Sequence, residues 1–306
     1  MRAILFPGQG SQYVGMGLDF YNKFDLVKKN FKIIDDALGF SLSNIILNGP
    51  EDELKLTQNT QPAIMTIGVS IYNILNKEFG LDLNNSKFFA GHSLGEYTAL
   101  VCAGSLTLES AAYLLHERGK SMQEAVPKDQ GGMLAIIGMT IDEVEDEIKL
   151  LSKNDICEIA NHNSNNQVVV SGMKASIKNL SNNLKSKNKK GIVLPVSAPF
   201  HCSLMNKAAE TMKKKIEEIN FLNPKPAIIS NVNAKAEFES KRIKSLLVDQ
   251  ITSRVRWKES VDYMIKNGVD NFLEIGPGKV LSGLVKKINR EVKVLNINKI
   301  EDIKND

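Results

Sequence analysis

Ser93 stands at the centre of Gly91-His92-Ser93-Leu94-Gly95, and Gly-x-Ser-x-Gly after a short apolar run describes a serine raised on a tight strand-to-helix turn. Residues 87–90 read as the strand and 96–104 as the helix. Glycines two residues either side of the serine let the backbone turn sharply and pack closely. A serine hydroxyl is a weak nucleophile at neutral pH and needs a base within hydrogen-bond reach. The sequence offers four histidines. His92 adjoins Ser93 and is expected to project in a different direction, His116 lies in a helix of leucines, and His162 sits in a polar segment. His201 remains, in the loop Ser197-Ala198-Pro199-Phe200-His201-Cys202, where the chain re-enters its main body after an insertion. That places it at a cleft between two units, where small-molecule sites form. Nearly all acids between Ser93 and His201 fall on helix surfaces or inside the insertion, so a backbone carbonyl is expected to set the His201 tautomer. The result is a dyad, with an oxyanion hole from the Leu94 N–H and a second donor from the Gln9 loop.

Arg118 supplies the specificity signal. Ala111, Leu115, Arg118 and Met122 fall on one stripe of an amphipathic helix, which puts an arginine on an apolar face. Such a residue snorkels to solvent, pairs with a structural acid, or binds a ligand carboxylate through its planar fork.

The elements that must position these groups are legible in outline. A strand over residues 3–6 ends in Pro7-Gly8-Gln9-Gly10-Ser11-Gln12, which is either an anion cradle or a plain tight turn. No Gly-Lys-Ser/Thr follows, so the loop does not read as a phosphate loop. Pro62 is expected at the first turn of an apolar helix over 63–75. From 131 to 197 the pattern reads strand 133–137, helix 141–151, strand 156–160, strand 168–170, helix 174–184 and strand 192–196. This βαββαβ order is ferredoxin-like. The fold class is therefore α/β: a hydrolase-like body over 1–127 and 198–306 carrying the serine elbow, with a ferredoxin-like subdomain inserted over 128–197. A polar helix over 208–219, strands at 227–230 and 271–275, and a terminal helix after Gly276-Pro277-Gly278-Lys279 complete the body.

Composition narrows the class. The 306 residues carry 39 Lys+Arg against 35 Asp+Glu, a balance too even for a nucleic-acid binder. The lysine-rich stretch 185–190 reads as a solvated face. Cys102, Cys157 and Cys202 form no CxxC pair and are odd in number, which argues against a disulfide framework and a metal site. No apolar run approaches the ~20 residues of a membrane span. The expectation is a soluble cytoplasmic protein with no cofactor and no membrane or nucleic-acid partner.

Five blocks together resemble the malonyl-CoA:acyl carrier protein transacylases of bacterial-type fatty acid synthesis. They are Gly8-Gln9-Gly10-Ser11-Gln12, Thr60-Gln61-Pro62-Ala63, Gly91-His92-Ser93-Leu94-Gly95-Glu96, Pro199-Phe200-His201 and Gly276-Pro277-Gly278-Lys279-Val280-Leu281. The resemblance implies malonyl-CoA and acyl carrier protein as partners, Ser93 as the acylated nucleophile and His201 as its base. It further implies the N–H groups of Gln9 and Leu94 as the oxyanion hole, Arg118 as the clamp on the malonyl carboxylate, and the Gln250 carbonyl as the group orienting the histidine. Asn161 and Asn163 match a cleft-lining segment, although Asn165-Asn166 departs from the Ser/Pro-Gly often found there. A phenylalanine at 200 implies crowding against a branched acyl group. The competing readings are a serine hydrolase or thioesterase using the same elbow, and a non-catalytic scaffold for carrier protein.

Overall fold

A computed structural model describes residues 1–127, 129–152, 156–196 and 198–305. The expected subdomain limits at 128 and 197 fall on residues outside those described. Among the described residues ten strands follow one another in chain order: β1 (Arg2–Phe6), β2 (Phe88–Gly91), β3 (Gly131–Ile137), β4 (Cys157–Ser164), β5 (Gln167–Met173), β6 (Lys190–Val193), β7 (Ala227–Ile229), β8 (Ala236–Glu237), β9 (Asn271–Ile275) and β10 (Lys293–Ile297).

They form two sheets. The six-stranded sheet has the order β10-β9-β1-β2-β7-β8, parallel except for its β8 edge. A parallel sheet covered on both faces needs strands apolar on both sides, and β1 supplies this. Ile4 and Phe6 face the core that includes Ile64, Ile67, Leu114 and Leu115, whereas Ala3 and Leu5 face Val261, Met264, Leu281 and Leu284. The second sheet, β4-β5-β3-β6, is wholly antiparallel. The Ile141–Lys149 and Lys174–Ser186 helices pack their Val144, Ile177, Leu180 and Leu184 against its Leu134, Val168 and Val170. In the stretch 185–190, Lys187 pairs with Glu147 at 2.7 Å and Lys189 lies 3.9 Å from Glu143.

Two expectations about helices need correction, and the strand expected at 192–196 lies instead at Lys190–Val193. Pro62 lies inside the Thr57–Lys77 helix rather than opening it. Proline lacks the N–H that would bond the carbonyl four residues back, and the freed Gln58 oxygen is instead met by His116 Nδ1 at 3.1 Å. The helix after the Gly-Pro-Gly loop, Val280–Ile288, is not terminal, because β10 follows it and closes the sheet edge beside β9.

The parallel strands bring their carboxyl ends together. In open α/β sheets that edge is where ligand sites form. Here it gathers the Gln9 loop after β1, the Ser93 turn after β2 and Asn231 just beyond β7.

Candidate active site

Gly91 ends β2, and the next helix, Gly95–Cys102, begins after only three residues. So tight a turn leaves no room for side chains at its ends. A Cβ on Gly91 would lie 1.9 Å from the Gly95 carbonyl carbon, and one on Gly95 would lie 2.3 Å from Phe6 O. Ser93 itself is held at φ +54° and His201 at φ +60°. Left-handed backbone costs an L-residue about 1–2 kcal/mol, so both conformations persist only because their surroundings impose them.

The sequence-predicted groups meet. Ser93 Oγ lies 2.8 Å from His201 Nε2, and His201 Nδ1 lies 2.8 Å from the Gln250 carbonyl. That carbonyl can only accept, so Nδ1 carries the proton and Nε2 presents its lone pair to the serine. Arg118, 1% exposed, donates from Nη1 to Gln61 Oε1 at 2.7 Å and from Nη2 to Gln250 Oε1 at 2.8 Å. Nη2 also reaches Ser93 Oγ at 3.1 Å. Among the described residues every hydrogen-bond acceptor on this guanidinium is neutral, and its Nε has no partner. The ring of Tyr97 lies 5.8 Å from the Arg118 guanidinium carbon.

Electrostatics favour a neutral imidazole at His201. Burial, followed by the charge of Arg118, pushes His201 down to about 3. Burial also lowers Arg118 from its ordinary value. Glu96, buried on the first turn of its helix, is pushed up to about 7 by desolvation.

A cavity of about 420 Å³ opens onto these atoms, lined by Gln9, Gln61, His92, Arg118, Asn161 and Phe200 together with Ser93 and His201. Asn163 does something different: its Oδ1 lies 2.9 Å from His92 Nε2, tying the serine turn to β4. A second cleft, of about 640 Å³, reaches His201 between the Ile141–Lys149 helix, β4 and residues 252–256. Across that boundary Val255 donates to Ala160 O at 2.8 Å, and His162 N donates to Val255 O at 2.9 Å.

Sequence reasoning set His92 aside, yet it lines the cavity. It also gave no role to Gln61, Glu96 or Asn231. Asn231 Oδ1 accepts the Ser93 N–H at 2.7 Å, and its Nδ2 donates to Gly91 O at 2.8 Å. Gln61 and Glu96 lie within recognised blocks, which was the available signal for them. Asn231 carried none. Among the described residues no group of three or more His, Cys, Asp or Glu is placed to hold a metal ion, and no helix is long and apolar enough to cross a membrane.

A serine, a buried imidazole and a buried guanidinium meet at the carboxyl edge of a mixed α/β fold. Comparisons with known proteins make the chain an acyltransferase. The family model described as acyl transferase domain matches residues 4–303. The malonyl CoA-acyl carrier protein transacylase of Bacillus subtilis is 41% identical over 304 residues, covering 98% of this chain and 94% of that protein. The crystal structure of an acyl-carrier-protein S-malonyltransferase from Bartonella henselae superposes with a TM-score of 0.96 at 41% identity, covering 99% and 97% of the two chains. A malonyl-transacylase solved in complex with a type II PKS acyl-carrier protein superposes with a TM-score of 0.95 at 38% identity, covering 99% and 97%. This chain belongs to the malonyl CoA-acyl carrier protein transacylases, within the acyl transferase domain family.

Proposed function

We propose that this protein transfers the malonyl group from malonyl-CoA to the phosphopantetheine thiol of acyl carrier protein, through a malonyl ester on Ser93. The observation that carries this reading is the position of Ser93 Oγ, 2.8 Å from His201 Nε2 and 3.1 Å from Arg118 Nη2.

In the first half-reaction Ser93 Oγ attacks the thioester carbonyl carbon while its proton passes to His201 Nε2. The oxyanion is met by the N–H groups of Gln9 and Leu94. The C–S bond then breaks, and the His201 proton goes to the departing CoA sulfur. The second half-reaction runs in reverse, with the carrier protein thiol giving its proton to His201 as its sulfur attacks the ester. The Gln250 carbonyl keeps the imidazole in the required tautomer throughout. Arg118 selects the acyl group: its guanidinium forms charge-assisted bonds to the malonyl carboxylate, which also offset the cost of burying the cation. Phe200 and Asn161 shape the wall, and Asn163 acts on the cavity through His92. Every step uses groups of the chain itself.

The turn around Ser93 functions as a nucleophile elbow. The β4-β5-β3-β6 sheet with its two helices is a ferredoxin-like subdomain over 128–197, set into a hydrolase-like body over 1–127 and 198–306. We assign the reaction to the cytoplasm, a reading that the three free cysteines support. A thioesterase would hand the same intermediate to water, and the test follows from that difference. Isolated acyl-enzyme should lose its malonyl group to added phosphopantetheine thiol far faster than to buffer. Equal loss with and without thiol would make the protein a hydrolase.

A further inference from the structure

Beneath the reacting groups lies a carboxylate that the reaction itself does not use. Glu96 is 2% exposed and touches neither cavity nor substrate path. One of its oxygens, Oε2, accepts the Asn231 backbone N–H at 3.0 Å and Gln250 Nε2 at 2.8 Å. The first bond fixes where that oxygen stands. The second is the shortest of three bonds that set which way the Gln250 amide faces, the same Nε2 reaching Ser93 O at 3.2 Å and Asn231 Oδ1 at 3.4 Å.

That direction matters because an amide has an acceptor end and a donor end that a half-turn exchanges. With Nε2 held by Glu96, Gln250 Oε1 faces Arg118 Nη2 at 2.8 Å. Turned over, Gln250 would present its NH₂ to a guanidinium that can only donate, and a buried donor facing a donor is costly. An apolar residue at 96 would fill the same space but remove the shortest of these acceptors, leaving only the longer bonds to Ser93 O and Asn231 Oδ1 to choose between the two orientations. We infer that Glu96 is the positioning residue that sets malonyl selectivity, by aiming the Gln250 side chain and thereby the Arg118 fork. Its action is indirect, through Gln250, and it rests on the transacylase reading above. The helix N-terminus beneath it and the nearby Arg118 charge make a buried carboxylate tolerable there.

The test measures single-turnover mass gain on Ser93 with malonyl-CoA and, separately, acetyl-CoA. Wild-type protein must acquire malonyl mass; its failure to do so would count against the transacylase reading and not specifically against Glu96. Glu96→Leu should lower the malonyl-to-acetyl rate ratio by about tenfold or more, the scale of one misplaced hydrogen bond to a charged group. Glu96→Gln keeps an acceptor oxygen in place and should hold the ratio near wild type. Adding Glu96→Leu to Gln250→Ala should leave the ratio where Gln250→Ala alone puts it, because the Glu96 route to Arg118 is already cut. If Glu96→Leu does not fold, Glu96→Asp takes its place, with a carboxylate one methylene too short to reach Gln250 and the same fall expected. Equal falls in malonyl and acetyl rates would reduce Glu96 to a structural residue. A fall with Glu96→Gln as large as with Glu96→Leu, or additive losses with Gln250→Ala, would overturn the inference.

Discussion

Arg118 binds Gln61, Gln250 and Ser93 through neutral acceptors, so the charge it would meet most strongly is one that a substrate brings. Arg118→Ala should cost malonyl transfer about 1.5–3 kcal/mol for each charge-assisted bond lost, and spare or improve acetyl transfer. Competition between the two CoA esters checks this, and an equal fall in both would make Arg118 a packing residue. His201 carries a pH signature of its own. Its imidazole is pushed from 6.5 to about 3 in the folded protein, so below pH 6.5 the unfolded chain binds the proton first. The stability tied to its neutral state is therefore complete above 6.5 and drains away as pH falls towards 3, by at most about 1.4 kcal/mol per pH unit. Wild type minus His201→Ala should accordingly shrink in unfolding free energy between pH 7 and 4.5. Glu96 titrates with the opposite sense, but it is present in both proteins and cancels to first order. A flat difference would mean that His201 is not held neutral. Ser93, His201 and Arg118 were legible because each announces itself locally, by a glycine pattern, a proline loop or a charge on an apolar stripe. Asn231 was not, since its bonds reach Ser93 and Glu96, 138 and 135 positions away, and leave no periodic trace, whereas Glu96 showed only as a member of the serine block.

The element that decides the geometry is the turn from β2 into the Gly95–Cys102 helix. Gly95→Ala would set a methyl 2.3 Å from Phe6 O and 2.9 Å from Pro7 O, driving the helix off β1 and carrying Ser93 with it. Overpacking of this kind costs about 1–3 kcal/mol, so midpoint temperature and Ser93 acylation should fall together. Gly283→Ala, in the Val280–Ile288 helix with nothing within 4 Å of its would-be Cβ, should instead leave activity intact and raise stability by up to ~1 kcal/mol. Calorimetry on the two variants separates a demanded glycine from an incidental one. Helix and strand identities in this region followed from apolar runs, but lengths did not. The expected strand at 168–170 extends over Gln167–Met173, because Ser171 and Gly172 are poor strand formers that pairing with Met133 and Gly132 nevertheless holds extended. Pro62 was misplaced for a similar reason: local rules keep proline at a first turn, whereas His116 on a neighbouring helix satisfies the carbonyl it frees.

Over the whole molecule, the second sheet meets the segment before the Trp257–Lys266 helix where Val255, outside any strand, pairs with β4, and Arg254 Nη1 adds a 3.4 Å contact to Glu145. The alternation of strands and helices foretold both layers. It did not foretell this seam, whose bonds join Val255 to Ala160 and His162, far away in sequence and outside any periodic pattern. The net charge of +4 is small, yet several surface lysines acting together would steer a carrier protein of opposite charge over a Debye length of about 8 Å. Raising salt should therefore raise KM for carrier protein much more than for free pantetheine, and equal effects would remove electrostatic docking from the account. The most direct test of the central claim is a peptide mass map after brief exposure to malonyl-CoA. A single malonyl group on the peptide bearing Ser93, absent from Ser93→Ala and released by carrier protein, is the predicted result; full malonylation of Ser93→Ala would contradict it.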